Sequence, residues 1–142
     1  MIDLLWLYGF AYGSALLHEW MHFVFALLFR IPVVSVKIGS DWPQLKIGKW
    51  RISPFLGLSY VTTEYEPVAA LCFYKKLLYF SSGIGMNALL ALLFFFLYCG
   101  MTRYIFLLAA ISNVVIVVVN TIPVGKTDIS TLIKLSIKKD GQ

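Results

Sequence analysis

The sequence is poor in charge, in cysteine and in histidine. Only 13% of its 142 residues are charged, whereas 60% are hydrophobic. Soluble domains carry about 25% charged residues, so this composition is typical of a membrane protein. The basic residues lie beside apolar runs and are not interleaved with aromatics in one patch, which argues against nucleic-acid binding.

The two cysteines do not indicate a disulfide. Cys72 and Cys99 are 27 residues apart, and on a single helix that separation is about 40 Å, too far to bridge. We interpret them as small apolar residues near helix ends. They do not identify a redox compartment.

Three long apolar runs are present. They cover about residues 4–29, 77–99 and 104–124, and each is long enough to cross a bilayer, which takes about 20 residues. We therefore predict an α-helical membrane protein with three transmembrane helices, organised as a single domain over residues 1–142.

The distribution of lysine and arginine predicts an orientation. Seven of them lie between the first and second runs, four follow the third, and only Arg103 separates the second from the third. Because cytoplasmic segments are enriched in Lys and Arg, we predict a multi-pass membrane protein with its N-terminus outside and its C-terminus in the cytoplasm.

The segment over about residues 31–67 has strand character. "VVSVKIG" alternates Val34, Val36 and Ile38 with other positions, and "LKIGKWRI" and "FLGLSYV" look similar. Period-two alternation is typical of strands, so we expect two or three short strands on the cytoplasmic membrane surface. The tail "DISTLIKLSIKKDGQ" predicts a short amphipathic helix at the interface.

The only two histidines belong to one motif. In "HEWMH", His18 and His22 are four residues apart and Glu19 lies between them. On a helix both imidazoles share a face and can bind one metal ion, while the glutamate can take a proton from a water. Ionisable residues are rare within apolar runs and indicate function by default. A purely structural role in hydrogen bonding between helices is the alternative.

A third metal ligand is found by elimination. A catalytic zinc takes three protein ligands and keeps one open position. No histidine remains, and the carboxylates other than Glu19 are Asp3, Asp41, Glu64, Glu66, Asp128 and Asp140. Asp128 is the best candidate, because it follows the third apolar run at its predicted cytoplasmic end. The alternative is an aspartate that lies in solvent at a helix end.

The order and spacing of three motifs resemble the site-2 protease family of intramembrane zinc metalloproteases. That family carries HExxH in its first core helix, a GPxxN-like motif in the second and NxxPxxxxDG in the third. Here "HEWMH" lies at 18–22, "GIGMN" at 83–87 and "NTIPVGKTD" at 120–128. "PQLKIGKWRISPFLGLSYV" is similar to the membrane-associated β-segment of these proteins. The resemblance covers about residues 9–130.

The resemblance implies a metal centre with one Zn²⁺ per chain. His18, His22 and Asp128 would bind the zinc, and Glu19 would be the general base that carries a proton. Access of water from the cytoplasmic side would follow from the position of Asp128.

The resemblance also implies roles for the second and third motifs. Asn120 would contact the substrate or the oxyanion, and Asn87 would do the same or form a hydrogen bond between helices. Gly83 and Gly85 would allow close helix approach.

Two positions depart from the family pattern. Ile84 replaces the usual proline after Gly83, and Ile129 replaces the usual glycine after Asp128. Glycine reaches backbone angles that a β-branched residue resists, so Ile129 would alter how the chain turns after Asp128.

The function that we expect is intramembrane zinc-dependent endopeptidase activity. Its partners would be the lipid bilayer, a membrane-protein or membrane-bound propeptide substrate, and a regulatory membrane partner, because 142 residues leave no room for a sensing domain. An edge strand of the 31–67 segment would pair with the extended substrate. The resemblance and the small size favour a bacterial plasma membrane.

Two other functions are alternatives to this one. A catalytically degenerate metal-binding membrane scaffold draws its support from Ile129, whereas Glu19 argues against it because a scaffold needs no general base. A zinc transporter would need further intramembrane acidic or histidine residues, which the sequence does not have.

Overall fold

The computed structural model describes residues 2–123 and 127–137. The elements in chain order are α1 (Ile2–Leu28), β1 (Val33–Ile38), β2 (Leu45–Ile47), β3 (Trp50–Ile52), β4 (Tyr60–Thr63), α2 (Tyr65–Ala70), α3 (Phe73–Met101), α4 (Tyr104–Thr121) and α5 (Asp128–Ile137). The described part of the chain therefore combines five helices with one four-stranded sheet.

α1 ends in a motif that turns the chain towards the sheet. Arg30 adopts a left-handed conformation with φ 57°. The N–H of Ile31 donates to the Ala26 carbonyl over 2.8 Å, and the N–H of Arg30 donates to the Leu27 carbonyl over 3.1 Å. This pair of bonds is a Schellman motif, and Pro32 follows it because proline cannot continue a helix.

Two helices, α3 and α4, are long and apolar enough to span a membrane. Only 11% and 17% of their most apolar windows is buried, which differs from the core helices of a soluble protein. Their outward faces instead present large apolar side chains, including Leu92, Phe96 and Val118. Contiguous apolar surface of this kind is rare on soluble monomers.

The prediction of three transmembrane helices over residues 4–29, 77–99 and 104–124 is wrong. α3 and α4 correspond to the second and third runs, but α1 over the first run is not among the candidate spans. The three ionisable residues of "HEWMH", together with Tyr8 and Tyr12, lower its mean hydropathy. The outside position of the N-terminus rested on that first span and loses its basis.

The sheet is mixed, with the strand order β2-β3-β1-β4. β1 pairs in parallel with β3 and antiparallel with β4, and β2 pairs antiparallel with β3. Four strands are therefore present where two or three were expected. All four lie within the predicted segment 31–67, and β4 is an edge strand.

A short connection and a buried lysine fix the helical part of the fold. Thr102, with φ 53°, and Arg103 join α3 to α4, so that the two helices form an antiparallel hairpin. Lys76 on α3 is 2% exposed and donates a hydrogen bond to the Leu135 carbonyl near the end of α5, over 3.3 Å. α5 is therefore tied to the beginning of α3.

The predicted tail helix is present over the described residues 128–137, and one of its faces packs on the protein core. Leu132 and Leu135 are 6% and 7% exposed, and they belong to the core that also contains Ala26, Val36 and Tyr79. The tail residues 138–142, including Lys138 and Lys139, lie outside the described residues.

Candidate metal centre

α1 presents both histidines on one buried face. His18 and His22 are 7% and 5% exposed, and their Nε2 atoms are 3.3 Å apart. This separation follows from the i,i+4 spacing, which stacks the two side chains one turn apart.

α5 delivers the carboxylate. Asp128 is the first residue of α5, and Thr127 caps this helix by accepting a hydrogen bond from the Ser130 N–H over 3.3 Å. Asp128 Oδ2 lies 3.3 Å from Nε2 of His18 and 3.3 Å from Nε2 of His22. A carboxylate in the first turn is also favoured by the helix dipole.

The three donor atoms have the spacing of a tetrahedral metal site. Ligands at about 2.0–2.1 Å from a tetrahedral zinc are about 3.3 Å from one another, and all three separations here are 3.3 Å. Asp128 Oδ2 is buried, and no described residue forms a hydrogen bond of good geometry with it. His18, His22 and Asp128 thus form a group that can hold a metal ion.

The outer nitrogen of His22 is held by backbone. Its Nδ1 lies 3.0 Å from the carbonyl oxygen of Tyr79, which can only accept. A proton on Nδ1 satisfies this acceptor, which leaves Nε2, on the side of Asp128 and His18, as the nitrogen that would bind a metal. Ser82 Oγ lies 3.3 Å from the same Nδ1 and donates its own proton to the Tyr79 carbonyl over 2.8 Å. Neither residue was identified from the sequence; for Tyr79 the reason is that a backbone acceptor leaves no residue-type signal.

The outer side of His18 faces α3. Its Nδ1 lies 2.9 Å from the amide nitrogen of Asn87, which is fully buried. Gly83, one turn earlier, lies directly against the ring, since a Cβ at this position would be 2.5 Å from Nε2 of His18. Gly83 thus allows the close approach expected of it, whereas a Cβ at Gly85 would meet no described atom within 4 Å.

Two carboxyl groups in the site have opposite pKa shifts. Burial raises the pKa of Glu19 to about 7, although His18 and the backbone N–H of Val61 pull it down. Burial also acts to raise the pKa of Asp128, but the two imidazoles facing it outweigh burial and hold that pKa well below its usual value. Asp128 is therefore ionised at neutral pH, while Glu19 can exchange a proton there.

A cavity of about 990 Å³ opens onto these residues. His18, Glu19, His22 and Asp128 line it, together with strand β4 and the apolar face of α4. Asn120 also lines the cavity, and its amide nitrogen donates to the Ile116 carbonyl over 3.1 Å. The site therefore has room for a polypeptide segment beside the metal ligands.

Comparisons with protein-family models, with curated proteins and with solved structures give no match for this chain. The resemblance to site-2 proteases consequently rests on the three sequence motifs alone.

The Ile129 departure does not disturb the turn after Asp128. Ile129 is the second residue of α5, and its side chain packs against the main core. Among the described residues with side chains, only Arg30 and Thr102 have positive φ, so position 129 does not require glycine. Residues 124–126 of the "NTIPVGKTD" motif lie outside the described residues.

Proposed function

We propose that this protein is a zinc-dependent endopeptidase of the site-2 protease type that acts at a membrane. The observation that carries the proposal is the equal 3.3 Å spacing of Nε2 of His18, Nε2 of His22 and Oδ2 of Asp128. Glu19 lies next to this group in the same cavity. Two imidazoles and one carboxylate are a donor set of hydrolytic zinc sites, and a neighbouring glutamate is the general base that such sites use.

The chemistry divides between the ion and the chain. A bound zinc would supply Lewis-acid activation of a water and of the scissile carbonyl. Glu19 takes a proton from the water whose oxygen bonds to the carbonyl carbon, and it passes that proton to the amine nitrogen as the C–N bond breaks. Asp128 and the two imidazoles would hold the ion, and the buried surroundings would strengthen each of these electrostatic interactions.

The substrate binds in an extended form along β4. The N–H of Val36 donates to Lys49 on the β3 side of β1, so its partner Val61 directs its backbone groups to the outer edge of β4. The N–H of Val61 meets Glu19 there. The outer edge of β4 therefore faces the site, and a substrate strand added to it would pass the metal ligands.

The substrate class is a single-pass membrane protein or a membrane-bound propeptide. Support comes from the apolar α3–α4 hairpin, which packs beside α1 and supplies one wall of the cavity. We place the protein in a bacterial plasma membrane with the sheet and α5 on the cytoplasmic side, where a regulatory membrane partner would control access.

The deciding experiment combines metal analysis with cleavage. The full chain is purified in detergent, its zinc content is measured, and cleavage of a panel of single-pass membrane peptides is followed in proteoliposomes. We expect about one zinc per chain. Glu19→Gln should retain the zinc and lower the cleavage rate by about 10²–10⁴-fold, the usual contribution of a general base.

Glu66→Gln is the matched control, because Glu66 is an exposed glutamate on α2 whose side chain does not line the cavity. It should cleave like wild type. Bound zinc without cleavage across the panel favours the metal-binding scaffold instead. A wild-type chain that binds no zinc contradicts both the protease and the scaffold.

A further inference from the structure

Two residues of α3 hold the His18 ring from two directions. Gly83 and Asn87 are four residues apart and therefore lie on one face of the helix. A Cβ at position 83 would lie within 2.7 Å of three ring atoms, so the ring rests against backbone that only glycine leaves open. Asn87 meets Nδ1, the ring nitrogen that points away from the metal ligands.

Coordination determines what Asn87 has to provide. His18 binds a metal through Nε2 only when the lone pair of Nε2 is free, and the neutral ring then carries its proton on Nδ1. A proton on Nδ1 needs an acceptor, whereas the amide NH₂ of Asn87 offers only donors. The acceptor is Oδ1 of Asn87, which is buried and has no hydrogen-bond partner within residues 2–123 and 127–137.

A half-turn of the amide meets this need without moving any other atom. It exchanges Nδ2 and Oδ1, so that Oδ1 takes the position 2.9 Å from Nδ1. In the orientation of the structure, Oδ1 has no hydrogen-bond partner among the described residues. The protonation of His18 decides between the two orientations, because two facing donors repel each other.

We propose that Asn87 is a positioning residue of the metal centre, whose side-chain oxygen accepts a hydrogen bond from Nδ1–H of His18 and so directs the Nε2 lone pair to the metal. The proposal rests on the proposed function, since it requires a metal held by His18, His22 and Asp128. It gives each imidazole an acceptor at its outer nitrogen: the Tyr79 carbonyl for His22 and Asn87 for His18.

A second buried asparagine provides the matched control. Asn113 on α4 is 1% exposed and donates to Ser14 Oγ over 3.0 Å and to the Ala109 carbonyl over 2.9 Å. It has no hydrogen bond to His18 or His22 among the described residues. Asn113 is thus a residue of the same type and burial that links α1 to α4 without touching the ligands.

The test measures the affinity for zinc by chelator competition, with the full chain in detergent. Asn87→Leu should weaken zinc binding by about 10–100-fold, the usual cost of removing the partner of a ligating histidine. Asn87→Asp should bind zinc within a few-fold of wild type, because a carboxylate also accepts from Nδ1–H. Asn113→Leu should keep the wild-type affinity even where its melting temperature falls.

A measurement on the wild-type chain makes the test independent of variant folding. ¹⁵N-histidine NMR of the zinc-loaded protein should show His18 protonated at Nδ1. A proton on Nε2, an Asn87→Leu variant with wild-type affinity, or an Asn87→Asp variant as weak as Asn87→Leu overturns the role of Asn87. If wild type itself binds no zinc, the proposed function fails too; if wild type binds and cleaves, only this inference is at risk.

Discussion

At the scale of single residues, Gly83 gives the most direct test of how the metal centre is packed. In Gly83→Ala, the new Cβ would lie 2.5 Å from Nε2 of His18. The imidazole ring of His18 can move more easily than the helix backbone, so the ring should shift away from His22 and Asp128. We expect at least about 10-fold weaker zinc binding, measured by chelator competition, because an orienting contact of a ligand is disturbed.

Gly85→Ala is the control for this variant. Both glycines lie inside α3, where alanine is favoured over glycine by about 0.5–1 kcal/mol, but a Cβ at position 85 meets no described atom within 4 Å. Gly85→Ala should therefore keep or raise the melting temperature and bind zinc like wild type. Equal zinc affinities in the two variants would show that the contact between Gly83 and His18 does not matter.

The residues of the site differ in how far the sequence predicts them. Pairing of His18 with His22 follows from their spacing on one helix, which is a local property. Asp128 is more than 100 residues away, and its position depends on α5 and on the bond between Lys76 and Leu135. Asn87 stands out in the sequence as a polar residue in an apolar run, but its hydrogen-bond partner depends on how α1 packs on α3.

At the scale of elements, β4 carries the proposed binding of substrate. Thr62 pairs with Ser35 of β1, and the N–H of Glu64 donates to the Pro32 carbonyl, so the intervening Thr63 directs its N–H to the outer edge. Thr63→Pro removes this N–H without breaking the pairing with β1. We expect cleavage of a membrane peptide in proteoliposomes to be lost while the zinc content stays that of wild type.

Thr63→Val separates the backbone from the side chain, because it keeps the N–H and nearly the same shape. It should cleave at close to the wild-type rate. Cleavage that survives in Thr63→Pro rules out strand addition along β4. Cleavage lost equally in Thr63→Val would assign the effect to the threonine hydroxyl.

β1 shows why strand content was easier to predict than strand register. The alternation of Val34, Val36 and Ile38 predicts one shared face, and Val36 and Ile38 are indeed buried. Val34 is 53% exposed, whereas Val33 is 6% exposed, because the pairing with β4 is irregular between Val33 and Ser35. An extra residue at a bulge reverses the face on which side chains lie, and its position depends on the partner strand.

At the scale of the whole molecule, the error in the number of spans arises from the site itself. The polar and ionisable residues that make α1 a metal-binding helix are those that lower its mean hydropathy. Its polar face lies against α3 and β4 and lines the cavity that it shares with Asp128 of α5. Apolar composition alone therefore does not distinguish a lipid-facing helix from one whose outside is partly covered by the rest of the chain.

The α3–α4 hairpin predicts the arrangement of the molecule across the membrane. Of the 12 lysines and arginines, only Arg103 lies in the turn between α3 and α4. The other 11 precede α3, lie in its first turn or follow α4. On the positive-inside rule we expect the turn outside the cell and the start of α3 in the cytoplasm. These two points are separated by the length of α3, about 40 Å at 1.5 Å per residue, enough to cross a bilayer.

Labelling with a membrane-impermeant maleimide tests this arrangement, because Cys72 and Cys99 are the only cysteines. In the Cys72→Ser/Cys99→Ser chain, Thr102→Cys should be labelled on intact spheroplasts. Cys72, exposed at the start of α3, should be labelled in Cys99→Ser only after permeabilisation. The reverse pattern would invert the orientation, and labelling of both positions from outside would show that α3 does not cross the membrane. The hairpin would then have to bury its apolar face against another protein.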